Sequence, residues 1–286
     1  MKKYYIFFNI ILLLSIIDSK SNRIVTVGGS VTETVFALGA GKSVVAVDWS
    51  SRLPSKVSDL PQVGYLRQLS SEGILSMKPD QILTSSEIGP PKVVDQLTAS
   101  GIDFHIYESP QSIEQIIGMV NNISDLLDKK RQGKKIIKNL KKLDKKVKNF
   151  EPNGKDSIKV MLFMNPTPIS YNAAGSNTRA DYLMKYIGGK NVFRDNFSRY
   201  SKVTKEDIIF ANPDVILVGY VEMLNSNQSE LTALFTNNSS FKFLPAVKNN
   251  KVFAIDIGKY LNFGPSFISN AFELKKMTHK WLIILK

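Results

Sequence analysis

Residues 63–83 read VGYLRQLSSEGILSMKPDQIL, and residues 203–217 read VTKEDIIFANPDVIL. Set 134 positions apart, Leu69 falls on Val203, Ser70 on Thr204 and Glu72 on Glu206. Pro79-Asp80 then falls on Pro213-Asp214, and Leu83 on Leu217. A repeat this widely spaced implies two similar lobes rather than a short-period solenoid. Two lobes imply a cleft. The copies diverge just before the shared part, where the first carries Gly64-Tyr65-Leu66-Arg67. That asymmetry is where function is sought.

Short apolar runs alternate with helical patterns on both sides of each copy. Ile24–Val27 and Val44–Val47 read as strands, with a helix near residues 32–38 between them. Ser70 is a good N-cap for a helix with Ile74, Leu75 and Met77 on its apolar face, ended by Pro79. Residues 81–84 and Asp103–Tyr107 read as strands, and Pro90-Pro91 starts a helix reaching about Ala99. Residues 112–150 stay helical, weakest at Gly133, and Asn153-Gly154 marks a turn. Strands at 158–163, 215–218 and 252–255 follow, with helices at 178–187, from Thr204, and at 265–286. The pattern predicts an α/β fold with an N-terminal lobe over 22–111, one long connecting helix over 112–150 and a C-terminal lobe over 151–286. Each lobe holds a mainly parallel sheet, and the ligand cleft lies between them. A helical connection restricts opening, unlike a flexible Gly/Ser linker.

The chain has 286 residues, 43% of them hydrophobic and 22% charged, which suits one or two globular domains with real cores. At its start Lys2 and Lys3 precede an apolar run over 6–17, interrupted only by Asn9 and Ser15 and followed by Ser19 and Ser21. Such a run is too short to span a bilayer, and the pattern predicts a secretory signal over residues 1–21. No second apolar run is long enough to span, so the mature chain is expected to be soluble. Cysteine is absent, which excludes disulfides, a thiol nucleophile, thiolate metal sites and lipoprotein attachment. Export without a lipid anchor predicts the periplasm of a Gram-negative cell.

The formal charge is +13, and losing three lysines and one aspartate with the signal leaves +11. Residues 129–148 hold eleven Lys or Arg against one acid, Asp144. Ile136, Leu140, Leu143 and Val147 form an apolar stripe within that run, so the remainder reads as a solvated basic face. Nucleic-acid binding is not expected, because export removes the nucleic acid and no aromatics are interleaved for base stacking.

Enzymatic motifs do not survive inspection. Gly41-Lys42-Ser43 lacks the upstream glycine of a phosphate-binding loop, where Phe36 stands. Ser239-Ser240-Phe241-Lys242 matches S-x-x-K only through two common residue types. Of the two histidines, His105 reads as structural within a strand and His279 as a surface residue. No histidine cluster or Ser–His–acid pattern is suggested, so the chain reads as a non-enzyme.

Tyr65 and Arg67 are two residues apart, and on an extended backbone they would point to one side. A cation near a phenolic oxygen stabilises its anionic form. An anionic oxygen suits ferric iron, and tyrosine is an established axial ligand of haem. The same spacing also fits a tyrosine packed at a lobe rim beside a solvated arginine.

The chain resembles the periplasmic haem-binding proteins that feed haem-import ABC transporters. The resemblance rests on Val27-Gly28-Gly29-Ser30-Val31-Thr32-Glu33, on LPQVGYLRQLSSEGILSMKPD (60–80) and on Gly89-Pro90-Pro91. It continues through Asn172-Ala173-Ala174-Gly175 with Thr178, Ala180 and Asp181, then Gly188-Gly189, residues 211–217 and Phe263-Gly264-Pro265. The resemblance implies two Rossmann-like α/β lobes bridged by one long helix, and a monomer that carries haem. It also implies that Tyr65 ligates the haem iron while Arg67 hydrogen-bonds the phenolate. Some relatives add a second-lobe histidine and a second haem, whereas this chain reads FMNPTPISYNAAG over 163–175, without histidine. Tyr171 is a candidate aromatic of the cleft there, and Arg199 and Lys202 are candidate partners for haem propionates.

Glu72 and Glu206 each stand two residues after an N-cap candidate, where the helix dipole favours an acid. The resemblance implies a further role, with each glutamate pairing to an arginine on one subunit of a permease dimer. A ferric-siderophore or cobalamin binder of the same fold is the alternative.

Overall fold

The computed structural model describes residues 22–150, 158–221 and 227–279. The signal assigned to residues 1–21 lies outside them, as do the turn at Asn153-Gly154 and the last residues of the closing helix.

The first lobe runs β1 (Ile24–Val27), α1 (Gly29–Ala37), β2 (Val44–Val47), β3 (Gly64–Tyr65), β4 (Gln68–Leu69), α2 (Ser71–Leu75), β5 (Gln81–Ser85), α3 (Pro91–Ala99) and β6 (Asp103–Tyr107). Its main sheet has the order β2-β1-β5-β6, all parallel. Every residue of β1 is buried because helices cover both faces. Alternation sends Ile24 into one core, with Val31, Val35 and Leu83, and Val25 and Val27 into the other, with Ile74, Ile82 and Leu97.

The second lobe runs β7 (Ile158–Met164), β8 (Tyr171–Ala174), α6 (Arg179–Tyr186), β9 (Gly189–Asn191), β10 (Tyr200–Val203), α7 (Lys205–Ala211), β11 (Val215–Tyr220), α8 (Gln228–Thr236), α9 (Pro245–Lys248), β12 (Val252–Asp256), α10 (Ile257–Tyr260) and α11 (Phe267–His279). The sheet has the order β10-β8-β7-β11-β12, with β9 also on β7. Its centre is parallel, and β8 and β10 add an antiparallel edge.

The repeat that opens the sequence is a structural clamp. Asp80 accepts a hydrogen bond from Arg23 N–H at 2.9 Å, and Asp214 accepts one from Lys159 N–H at 2.8 Å. In each lobe this ties the start of the strand after the repeat (β5, β11) to the start of its parallel partner (β1, β7). Pro79 and Pro213 are both buried beside their aspartates.

The stretch over 112–150 is not one long helix, as the sequence pattern predicts, but two. Helix α4 (Ile113–Leu126) turns back through Asp128, at φ 52°, into α5 (Lys130–Lys148). Gly133, taken for a weak point, is where the two touch, since a Cβ there would come within 2.6 Å of Ser124 Cβ. The hairpin belongs to both lobes. Met119 and Ile123 pack in the first, whereas Ile113, Ile116, Leu140 and Val147 pack in the second. The predicted apolar stripe of α5 is the side that packs, and its lysines face out. Lys275 of α11 donates to Val147 O at 2.9 Å and so satisfies a carbonyl at the end of α5. His279 is not a surface residue; it is buried on that packed side of α11, with Nδ1 2.8 Å from Lys275 O, and burial lowers its pKa.

A second tie between the lobes joins two motifs about 230 residues apart. Glu33 of α1 accepts from the Asn262 amide at 2.6 Å and from Ser266 N–H. Gly264 is required between them, because a Cβ there would lie 2.8 Å from Glu33 Cδ. Burial raises the Glu33 pKa above its usual 4.5, and the bonds from Ser266 and Asn262 oppose that rise. The folded chain therefore holds this proton to higher pH than the unfolded chain does. The resulting stability is complete below the unfolded value and is lost as pH rises through the folded one. Urea unfolding at about pH 4 and about pH 8 should show wild type losing stability relative to Glu33→Gln as pH rises. A difference independent of pH would overturn this reading.

Candidate functional site

The carboxyl ends of the first lobe's parallel strands meet at one edge, where α/β sheets place ligand crevices. Asp48, directly after β2, organises that edge. Its buried carboxylate accepts from Gly28 N–H at 2.7 Å, Ser50 N–H at 2.9 Å and Ser51 Oγ at 2.6 Å. Trp49 comes next, half exposed, and its backbone N–H donates to Gly64 O at 2.9 Å.

Tyr65 and Arg67 do not lie on one extended strand. They sit on a tight hairpin in which Tyr65 pairs with Gln68, and Leu66-Arg67 form the turn. The hairpin is pinned from behind by the Gly89-Pro90-Pro91 segment. Gly89 N–H donates to Leu66 O at 2.9 Å, and Leu69 N–H donates to Gly89 O at 3.0 Å. Leu66 and Leu69 are buried, which leaves Tyr65 and Arg67 outside. Tyr65 is 40% exposed, and its hydroxyl has no hydrogen bond among the described residues. Arg67 is paired instead with Glu87, Nη2 to Oε1 at 2.9 Å.

Glu87 reaches across to the second lobe. Its Oε2 lies 3.4 Å from Nη2 of Arg179, the first residue of α6 in the second lobe. Arg179 Nε donates to Pro110 O at 3.0 Å. Tyr200 stands beside Arg179, Glu87 and Thr178; burial raises its pKa, and the nearby Arg179 partly lowers it again. The structure thus brings together Arg67, Glu87, Arg179 and Tyr200, with Trp49 and Tyr65 at the first lobe's edge.

The other sequence candidates are placed as follows. Tyr171 does not line the cleft; it is 4% exposed and packs with Phe163, Phe235 and Phe241 in the second lobe's core. The cause is register. Tyr171 pairs with Val203 on the core face of β8 and β10, whereas Tyr200 and Lys202 share the opposite face. Arg199 and Lys202 are exposed, and neither makes an ion pair among the described residues. Glu72 and Glu206 occupy the second residue of α2 and α7, behind the side-chain caps of Ser70 and Thr204. Both are exposed and make no ion pair among the described residues.

Sequence reading missed Glu87, Arg179, Tyr200 and Trp49. Tyr200 had a signal, since it aligns with Leu66 inside the divergent part of the repeat. Among the described residues no cluster of His, Cys, Asp and Glu is arranged to hold a metal ion, and no helix is long and apolar enough to cross a membrane.

Known proteins agree with this architecture. A Vitamin B12-binding protein of Vibrio parahaemolyticus is 23% identical over 243 residues, 85% of this chain and 84% of that protein. The High-affinity heme uptake system protein IsdE of Staphylococcus aureus is 27% identical over 206 residues, 71% of this chain and 69% of that one. Among solved structures, the periplasmic heme-binding protein BhuT, in complex with two hemes, superposes with a TM-score of 0.82 at 28% identity. That match covers 91% of this chain and 98% of BhuT. The periplasmic binding protein family matches residues 24–257, and with its two α/β lobes the chain belongs to that family.

Proposed function

We propose that this protein captures haem between its lobes in the periplasm and delivers it to an inner-membrane ABC transporter, with no reaction of its own. One observation carries the reading. Tyr65 is presented on a pinned hairpin, partly exposed and without a hydroxyl hydrogen bond among the described residues, two positions before Arg67 in the same hairpin. A tyrosine so placed supplies an anionic oxygen to ferric iron while its backbone stays fixed. Arg67, held by one Nη to Glu87, keeps other N–H groups for the phenolate. Trp49 and Tyr200 offer aromatic surface to a flat apolar cargo. The similarity to haem binders supports the same choice.

Glu72 and Glu206 are the proposed permease contacts. They repeat the same helix position on both lobes and are free to pair with cations elsewhere. A single-chain carrier would then set one acid on each subunit of a permease dimer.

The similarity to Vitamin B12-binding proteins supports a second reading, a cobalamin carrier. Parallel absorption titrations with hemin, cyanocobalamin and a ferric siderophore separate the two. Saturable hemin binding with a phenolate-to-iron charge-transfer band is expected, and its endpoint gives the number of haems. Saturation by cobalamin or the siderophore alone would replace the haem reading.

A further inference from the structure

The Arg67–Glu87–Arg179 cluster is unevenly satisfied. Two guanidinium groups share one carboxylate, so the group carries an excess positive charge. The two contacts also differ. Arg67 is 56% exposed and sits at an ordinary charge-assisted distance, 2.9 Å. Arg179 is only 20% exposed, and its 3.4 Å contact is long for such a pair. Its direction is nevertheless set, because Nε is held by Pro110 O and the guanidinium lies 5.8 Å from the Phe263 ring centroid. A fixed, partly desolvated cation with a weak partner attracts a carboxylate more strongly than a solvated surface cation does.

We propose that Arg179 is the second-lobe cation that receives a carboxylate of the ligand, and that Glu87 is its built-in competitor. Glu87 stays on Arg67 and leaves Arg179 when the ligand's carboxylate arrives. The exchange gives each guanidinium its own anion and neutralises the excess charge. No bond beyond hydrogen bonds is made or broken. This inference rests on the haem reading, in which the carboxylates are the propionates. It assigns their partner to Arg179 ahead of the solvated Arg199 and Lys202.

The test compares hemin with hemin dimethyl ester, whose propionates are capped. Wild type should bind hemin about tenfold more tightly than the ester, the scale of a partly desolvated charged hydrogen bond. Arg179→Met should bring hemin down to the ester's affinity and leave the ester unchanged, and Arg179→Lys should recover part of the difference. Glu87→Gln, with its competing charge removed, should raise the hemin-to-ester affinity ratio several-fold, a readout that cancels any change at Arg67, which both ligands share. Equal losses for both ligands in Arg179→Met, or an unchanged hemin-to-ester ratio in Glu87→Gln, overturn the inference while leaving the haem reading intact. Failure of the wild-type protein to bind hemin overturns both.

Discussion

Tyr65→Phe should lower hemin affinity at least about a hundredfold, roughly 2.7 kcal/mol, and abolish the phenolate-to-iron charge-transfer band. The substitution removes one oxygen and keeps the ring. Nothing in the fold depends on that oxygen, because Tyr65 is partly exposed and its hydroxyl bonds no described residue. The hairpin is held by backbone bonds to Gly89 and by buried Leu66 and Leu69. Stability should therefore stay within about 0.5 kcal/mol of wild type, the range of ordinary surface changes. An absorption titration and a thermal melt measure the two quantities separately. Normal affinity with an unchanged spectrum would remove Tyr65 as the iron ligand.

The second large effect lies in delivery. Glu72→Lys combined with Glu206→Lys should leave hemin binding unchanged and stop uptake. Each reversal replaces an attraction to the permease with a repulsion, and like charges face to face at an interface are strongly disfavoured. The double variant should dock at least about a hundredfold more weakly than wild type. Both sites should take the change at a modest cost from the helix dipole, because neither glutamate caps its helix. Ser70 and Thr204 do that, and α7 keeps its reciprocal bond to Asp207. Stimulation of transporter ATPase activity in proteoliposomes reads docking directly, and full stimulation by the double variant would sink the assignment.

The architecture was legible because its determinants are local and repeated. Each Pro-Asp copy terminates a helix turn, clamps a neighbouring strand and precedes an apolar strand, and all three signals lie within a few residues. Elements with weak local signals escaped. The two-residue strands of the Tyr65 hairpin carry no periodicity, and β8 to β10 are three or four residues long. The reversal between α4 and α5 is made by Asp128 in a left-handed conformation, without a glycine or proline to announce it. Tyr171 was misplaced because a strand's two faces differ only by register, which a four-residue strand does not reveal. At the site, Tyr65 stood out through its position beside the repeat. Glu87 and Arg179 lie 92 residues apart and meet only when the lobes face each other. No sequence window contains that encounter.

The helical hairpin has a consequence for selectivity. Its two helices are in close contact at Gly133, and each end is buried in a different lobe's core. Bending it would separate close-packed side chains in both cores. The spacing of the two lobes is therefore set when the chain folds. On the proposed function the protein would act as a fixed gauge, to which a flat tetrapyrrole and a corrinoid with bulky axial groups present different profiles.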